Sequence, residues 1–318
     1  MNLWNSKIKP MLAKSSKPFD SKDWIFEIKF DGTRAVAFIN KRSVRLQNRR
    51  FADITYRYPE LKLNKDLKIE KAILDGEIVI LKNGKPDFSL LQEREHVERK
   101  EKIHLLSKAL PAVYIAFDIL AFNGKDMTSE PLMKRKMFLK KAIEESERII
   151  LSEYVEQYGK NFFKQVCKLG MEGIMAKKKN SIYEIGKRAD TWLKIKNLRT
   201  IDCVVCGVTK GKGLRKGGFG SLILGCYRNE GLIYVGRVGT GFDTATMSTL
   251  LKRLKKLRSE DCPFISKPRL GSGIELCFWV RPEIIAEVKF MGLTKDMRLR
   301  APSLVRMRDD KEPEDCII

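Results

Sequence analysis

The chain has 318 residues, long enough for two domains of ordinary size, and its 43% hydrophobic and 9% aromatic content excludes a disordered chain. Lys and Arg number 63 against 40 Asp and Glu, a formal charge of +23, so the field around the protein attracts polyanions, nucleic acid first among them. No apolar run approaches the roughly 20 residues that span a bilayer, and the first nine residues lack the apolar stretch of a secretory signal, so a cytoplasmic protein is expected.

In chain order, residues 24–30, 34–39, 73–81, 114–122, 173–177 and 192–196 are short, apolar or alternating, and bounded by turn pairs such as Asp31-Gly32, Asn83-Gly84 and Asn123-Gly124; the pattern predicts strands. Helices are predicted over 131–147, opened by Pro131, and over 161–169, where Phe162, Phe163, Val166 and Leu169 precede a terminating Gly170. Near Arg199 the texture turns to hairpins, 219–227 and 232–238 about a turn at 229–231. A helix then follows Asp243, with Met247, Leu250, Leu251, Leu254 and Leu257 on one face. The fold class is therefore α+β: a first domain, 1–199, with antiparallel sheets and flanking helices, and a second, 200–318, whose short strands and single helix suggest a small OB-type barrel. Cys203 and Cys206 form one CxxC, but no second pair follows and His96 and His104 lie far off, so reduced thiols are expected rather than zinc.

Within 24–31 the strand period puts Trp24, Phe26, Ile28 and Phe30 on one face and Glu27, Lys29 and Asp31 on the other. Lys29 opens Lys29-Phe30-Asp31-Gly32-Thr33-Arg34, a KxDGxR pattern. In order there follow Asp75-Gly76-Glu77, the run 114–118 ending in Phe117-Asp118, the run 172–177 from Glu172 to Lys177, the run 192–196 with Lys194 and Lys196, and Arg308-Asp309-Asp310-Lys311. Any one of these arises by chance on solvated strands; six in order on predicted strands do not. Together they resemble the motifs of covalent nucleotidyltransferases. The runs 87–92, 219–225, 234–242 and 280–283 narrow this further, since the chain from Pro10 to Lys311 is similar to the ligase module of the bacterial and archaeal ligase D group of ATP-dependent DNA ligases.

That resemblance implies an adenylation domain followed by an OB-fold, a prokaryotic, nucleoid-associated setting, and a lysyl-AMP intermediate on Lys29 made from ATP. It further implies Glu27 against the base, Phe117 stacked on adenine, Arg34 on ribose or phosphate, Lys194 and Lys196 on the phosphate and as cations that favour a neutral Lys29, and Arg308 and Lys311 assisting the first step. Mg²⁺, or Mn²⁺, would take Glu172, with Glu77 either a second ligand or a contact to the ribose. Arg49 or Arg50 would meet the 5′-phosphate of the nick; the surrounding Asn48-Arg49-Arg50-Phe51 departs from the family's usual Ser-Arg-Asn-Gly and leaves both open. Arg188 and the basic loop of Lys210, Lys212, Arg215 and Lys216 suit the DNA backbone. The expected partner is nicked or broken duplex DNA bound by a monomer. Some two dozen residues before the motif leave no room for a helical DNA-binding domain, so dependence on low salt or on a Ku-type end-bridging protein is expected. An RNA ligase or a capping guanylyltransferase would share the lysine chemistry, and a non-catalytic basic nucleic-acid-binding protein would need only the charge.

Overall fold

The structure, a computed structural model, describes residues 3–95, 97–211, 213, 218–229, 231–294 and 296–318. It divides into two units, Met1–Asn197 and Leu198–Ile318.

The first unit carries β1 (Leu12–Ser15), β2 (Ser21–Ile28), β3 (Thr33–Asn40), β4 (Ser43–Asn48), β5 (Lys71–Lys82) and β6 (Lys85–Pro86), then β7 (Ala112–Phe122), β8 (Lys125–Asp126), β9 (Ile149–Leu151), β10 (Tyr154–Gln157), β11 (Gly173–Lys178) and β12 (Arg188–Lys196). Its helices are α1 (Phe88–Glu95), α2 (Lys100–Ala109), α3 (Leu132–Ala142) and α4 (Gly159–Lys168). One sheet runs β4-β3-β5-β7-β8, with β6 on β5 and β9 on β7; the other runs β1-β12-β11-β2-β10. Neither sheet is purely antiparallel, because β1 pairs parallel with β12 and β9 parallel with β7. A parallel partner needs a crossover, and α3 supplies the one between β7 and β9. That return also cuts short the helix predicted to reach residue 147: Ile143 is extended and bridges Leu67, and Glu144 N donates to Asp66 O.

The alternation in β2 works as expected. Phe26 is fully buried with Val166 of α4 and Ile174 of β11, and Trp24 and Ile28 pack on the same cluster. The strand ends one residue before Lys29, whose backbone N–H bonds Gly173 O at 2.9 Å. Two glycines set how closely the backbones approach beside it. A Cβ on Gly32 would strike Ile78 O, and one on Gly76 would strike the Tyr114 ring and Ile115 O.

The second unit holds β13 (Arg199–Lys210), β14 (Phe219–Arg228), β15 (Gly231–Val238), α5 (Thr244–Lys256), β16 (Arg258–Ser259), β17 (Leu276–Phe290) and β18 (Ser303–Arg308). The strand order is β15-β14-β13-β17-β16, with β18 on β17. Leu250 and Leu254 of α5 are buried in the same cluster as Val205, Leu222, Leu224 and Val235, and Met247, Leu251 and Leu257 pack against it, as their spacing predicts. No disulfide joins any of the seven cysteines, and Cys203 lies opposite Cys226 with their sulfurs 3.6 Å apart. Among the described residues no helix is long and apolar enough to cross a membrane.

Candidate active site

Both sheets of the first unit contribute to a cavity of about 810 Å³, within the range of small-molecule sites. Lys29 enters it from the end of β2, Glu77 from β5, Phe117 from β7, Lys177 from β11, and Trp192, Lys194 and Lys196 from β12. Arg34, Arg49, Arg50, Arg57 and Arg188 also line it. Strand register explains the convergence: Glu27 faces Met175, Met175 faces Lys194, and Gly173 faces Lys196, so alternate residues of three neighbouring strands share one face. Gly173 has φ +142°, a conformation that favours glycine, and a Cβ there would strike Ile195 O.

The Lys29 amine donates to Glu172 Oε2 at 2.5 Å, and Lys196 Nζ lies 3.7 Å from the other oxygen. Burial, with Lys196, Arg188, Lys29 and Arg49 nearby, holds the Lys194 amine below its ordinary value. Burial pushes the Glu77 carboxyl up to about 8 against the opposing pull of Lys29 and Arg34.

Arg34 grips the fully buried Asp75 with both arms, Nε to Oδ1 at 3.0 Å and Nη2 to Oδ2 at 2.6 Å. Directly across from Arg34 in the ladder is Glu77, and Asp75 is its diagonal partner. The Arg34 guanidinium lies 5.4 Å from the Phe117 ring centre and 5.8 Å from that of Trp192. Phe117 and Trp192 meet edge to face at 6.2 Å, with Lys177 Nζ 4.5 Å and 4.2 Å from their ring centres. Glu27 reaches the cavity wall, but both of its oxygens are engaged: Oε2 accepts from Ser152 Oγ at 3.0 Å and Lys177 Nζ at 2.9 Å, and Oε1 lies 2.6 Å from Lys136 Nζ. Burial drives the Lys177 amine down to about 8.

Arg49 and Arg50 are both exposed at the cavity, on a loop where Asn48 Oδ1 accepts from the N–H groups of Arg50 and Ala52. Arg188 Nη1 donates to Ala13 O at 2.6 Å. In the second unit Arg308 holds Asp310 by two bonds of 2.7 and 2.8 Å and lies 3.4 Å from Asp202, while Lys311 donates to Asp202 at 2.6 Å. Lys210 pairs with Glu275 at 2.7 Å; Lys212, Arg215 and Lys216 lie outside the described residues. His96, set aside as a zinc ligand, is outside them as well.

Several residues of the site escaped the sequence reading. Lys177 and Trp192 stood at the ends of recognised motifs, which was signal enough to mark them. Lys136, Ser152 and Tyr183 carried none, because each meets its partner only through the tertiary fold. No group of three or more potential metal ligands occurs among the described residues. Glu77 lines the cavity and Glu172 adjoins it through its bond to Lys29. That donor set suits Mg²⁺, which is bound through one or two carboxylates with substrate phosphates and water completing its shell.

Residues 10–196 match the family model described as the ATP dependent DNA ligase domain, and residues 215–311 match that of the ATP dependent DNA ligase C terminal region. The chain belongs to the ATP-dependent DNA ligase family. Its fold is accordingly an adenylation domain followed by an OB-fold region. It is 34% identical to the multifunctional non-homologous end joining protein LigD of Mycolicibacterium smegmatis, over 97% of this chain and 39% of that protein. It is 32% identical to a DNA ligase of Sulfophobococcus zilligii, over 97% of this chain and 56% of the relative. The chain thus spans about half the length, or less, of these curated relatives. A solved mycobacterial DNA ligase D in complex with ATP and MES superimposes with a TM-score of 0.55 at 30% identity, covering 98% of both chains.

Proposed function

We propose that this chain seals breaks in duplex DNA in three steps through AMP carried on Lys29. The observation that carries this reading is the Lys29 amine, paired with Glu172, at the wall of a cavity that also holds Lys194, Lys196 and Arg34. In the first step the amine attacks the α-phosphorus of ATP, a P–N bond forms, and pyrophosphate leaves. The amine must be neutral to attack, and a free lysine holds its proton to about 10.4. Lys194 and Lys196 stabilise negative charge growing on the phosphate oxygens. Glu172 stands within reach of the departing proton. Glu172 and Glu77 would hold Mg²⁺, which supplies Lewis-acid charge at the phosphates. Phe117 stacks on the adenine, Arg34 holds ribose or phosphate, and Arg308 and Lys311 exchange their carboxylate partners for pyrophosphate. In the second step a DNA 5′-phosphate oxygen attacks the lysyl phosphorus and Lys29 departs; in the third the 3′-hydroxyl attacks the 5′-phosphate and AMP departs. Arg49 or Arg50, Arg188 and Lys210 meet the DNA backbone. The likeness to LigD supports end joining, aided by a Ku-type bridging protein.

Incubation with α-labelled ATP tests the first step. Label enters the native chain and is absent from Lys29→Ala, a loss of at least about 10³-fold. Label from GTP alone, or full sealing by the alanine variant, contradicts the reading.

A further inference from the structure

Arg34 is fixed by more than its carboxylate partner, and the additional group is a tyrosine that no motif marks. Tyr183, 3% exposed, lies in the segment before β12. Its Oη lies 2.6 Å from Asp75 Oδ2, 3.1 Å from the backbone nitrogen of Met11 and 3.5 Å from Arg34 Nη2. The Met11 N–H and the guanidinium can only donate, so the phenol must spend its single proton on Asp75. Burial, reinforced by Asp75, pushes the phenol well above its ordinary value, which keeps it a donor.

The ring cannot drift from this position. It packs edge to face on Trp192 at 5.7 Å, Arg135 lies 5.8 Å from its centre, and the Tyr183 backbone N–H donates to Thr128 O at 2.8 Å. One hydroxyl therefore joins the segment leading into β1, the segment leading into β12, and β5 of the opposite sheet, and it does so on the carboxylate that Arg34 grips. Asp75 bonded only to Arg34 could rotate about its terminal torsion and take the guanidinium with it, since the pair is bidentate. A third bond from a rigid donor removes that freedom.

We propose that Tyr183 is a positioning residue for the nucleotide: by locking the Asp75 carboxylate it aims the Arg34 guanidinium at the ribose or phosphate of ATP. This rests on the reading of Arg34 as a contact to ATP.

A double-mutant cycle on KM for ATP in lysyl-AMP formation tests it. Tyr183→Phe keeps the ring and loses the donor, and should raise KM about tenfold, the worth of one hydrogen bond to a charged group. KM should change by less than about twofold when Tyr183→Phe is added to Arg34→Ala. A general structural role would act equally in both backgrounds; either that result or an unchanged KM in Tyr183→Phe overturns the proposal. If Arg34→Ala alone leaves KM unchanged, the assignment of Arg34 fails and takes the proposal with it, a result distinguishable from failure at Tyr183 alone. Should Tyr183→Phe not fold, 3-fluorotyrosine at 183, a more acidic donor, carries the same cycle. KM should then shift with Arg34 present and not with Arg34→Ala, and equal shifts in both overturn the proposal.

Discussion

The two units bury different kinds of side chain. Among the described residues the buried charged groups, including Glu27, Asp75, Asp118, Arg135, Lys136 and Lys177, all belong to the first unit, while the buried polar groups of the second are the hydroxyls of Thr209 and Ser221. A buried charge is tolerated only when paired and hydrogen-bonded, so the first unit holds its active-site residues in place with ion pairs that do not yield cheaply. The second unit rests on apolar burial, and the cations expected to act there, Arg308, Lys311 and Lys210, sit on part-buried or exposed carboxylate pairs. The difference suits the proposed roles, in which the first unit would hold a reacting atom still and the second would release its cations to an incoming anion.

The largest break in that contrast is expected at Asp118, whose carboxylate makes two bonds to Arg135 with both side chains fully buried. Asp118→Ala leaves the guanidinium uncompensated and should cost about 3–5 kcal/mol in denaturant unfolding; a cost under about 1 kcal/mol would place this pair with surface pairs. A smaller effect should appear in the pH dependence of stability. Glu77 keeps its proton in the folded state up to about 8, whereas the ordinary value is 4.5. Below the lower value both states are protonated and the preference for the neutral form counts in full. As pH rises through the window the unfolded chain loses the proton first, so this contribution declines and is gone above the folded value. Urea midpoints of the metal-free protein should show that decline, and Glu77→Gln should flatten it. The smallest effect belongs to the second unit: Ser221→Ala removes a hydroxyl 2.9 Å from Thr209 Oγ1 and should cost about 1 kcal/mol. A loss as large as that at Asp118 would erase the distinction between the units.

How much of this could be read from sequence differs by residue. Lys29 was legible because strand alternation and the KxDGxR pattern agreed on it. The apolar face of α5 was legible from its spacing. Arg135 and Lys136 were not: charged residues on a predicted helix ordinarily face solvent, yet they are 0% and 8% exposed. Their partners are Asp118 of β7 and Glu27 of β2, from two different sheets, and only the tertiary fold creates the pairs. The early end of α3 was hidden for the same reason, since a parallel β9 is a tertiary fact. Nor could the pattern show that Glu27, expected against the base, is ion-paired with Lys136 and Lys177 and bonded to Ser152.

Gly32 and Gly76 alter what the signature of this family conveys. Each sits where any side chain would collide with a neighbouring strand, so the glycine in KxDGxR and the glycine in DGE record the spacing of backbones, not the handling of a phosphate. The letters of one motif thus carry two separate messages: lysine, glutamate and arginine belong to the proposed chemistry, and glycine reports architecture. A chain that keeps the glycines and has lost the lysine would keep the shape of this cleft as a vessel without its reaction. A chain with the lysine and bulkier residues at the glycine positions would hold the reagent with nowhere to put it.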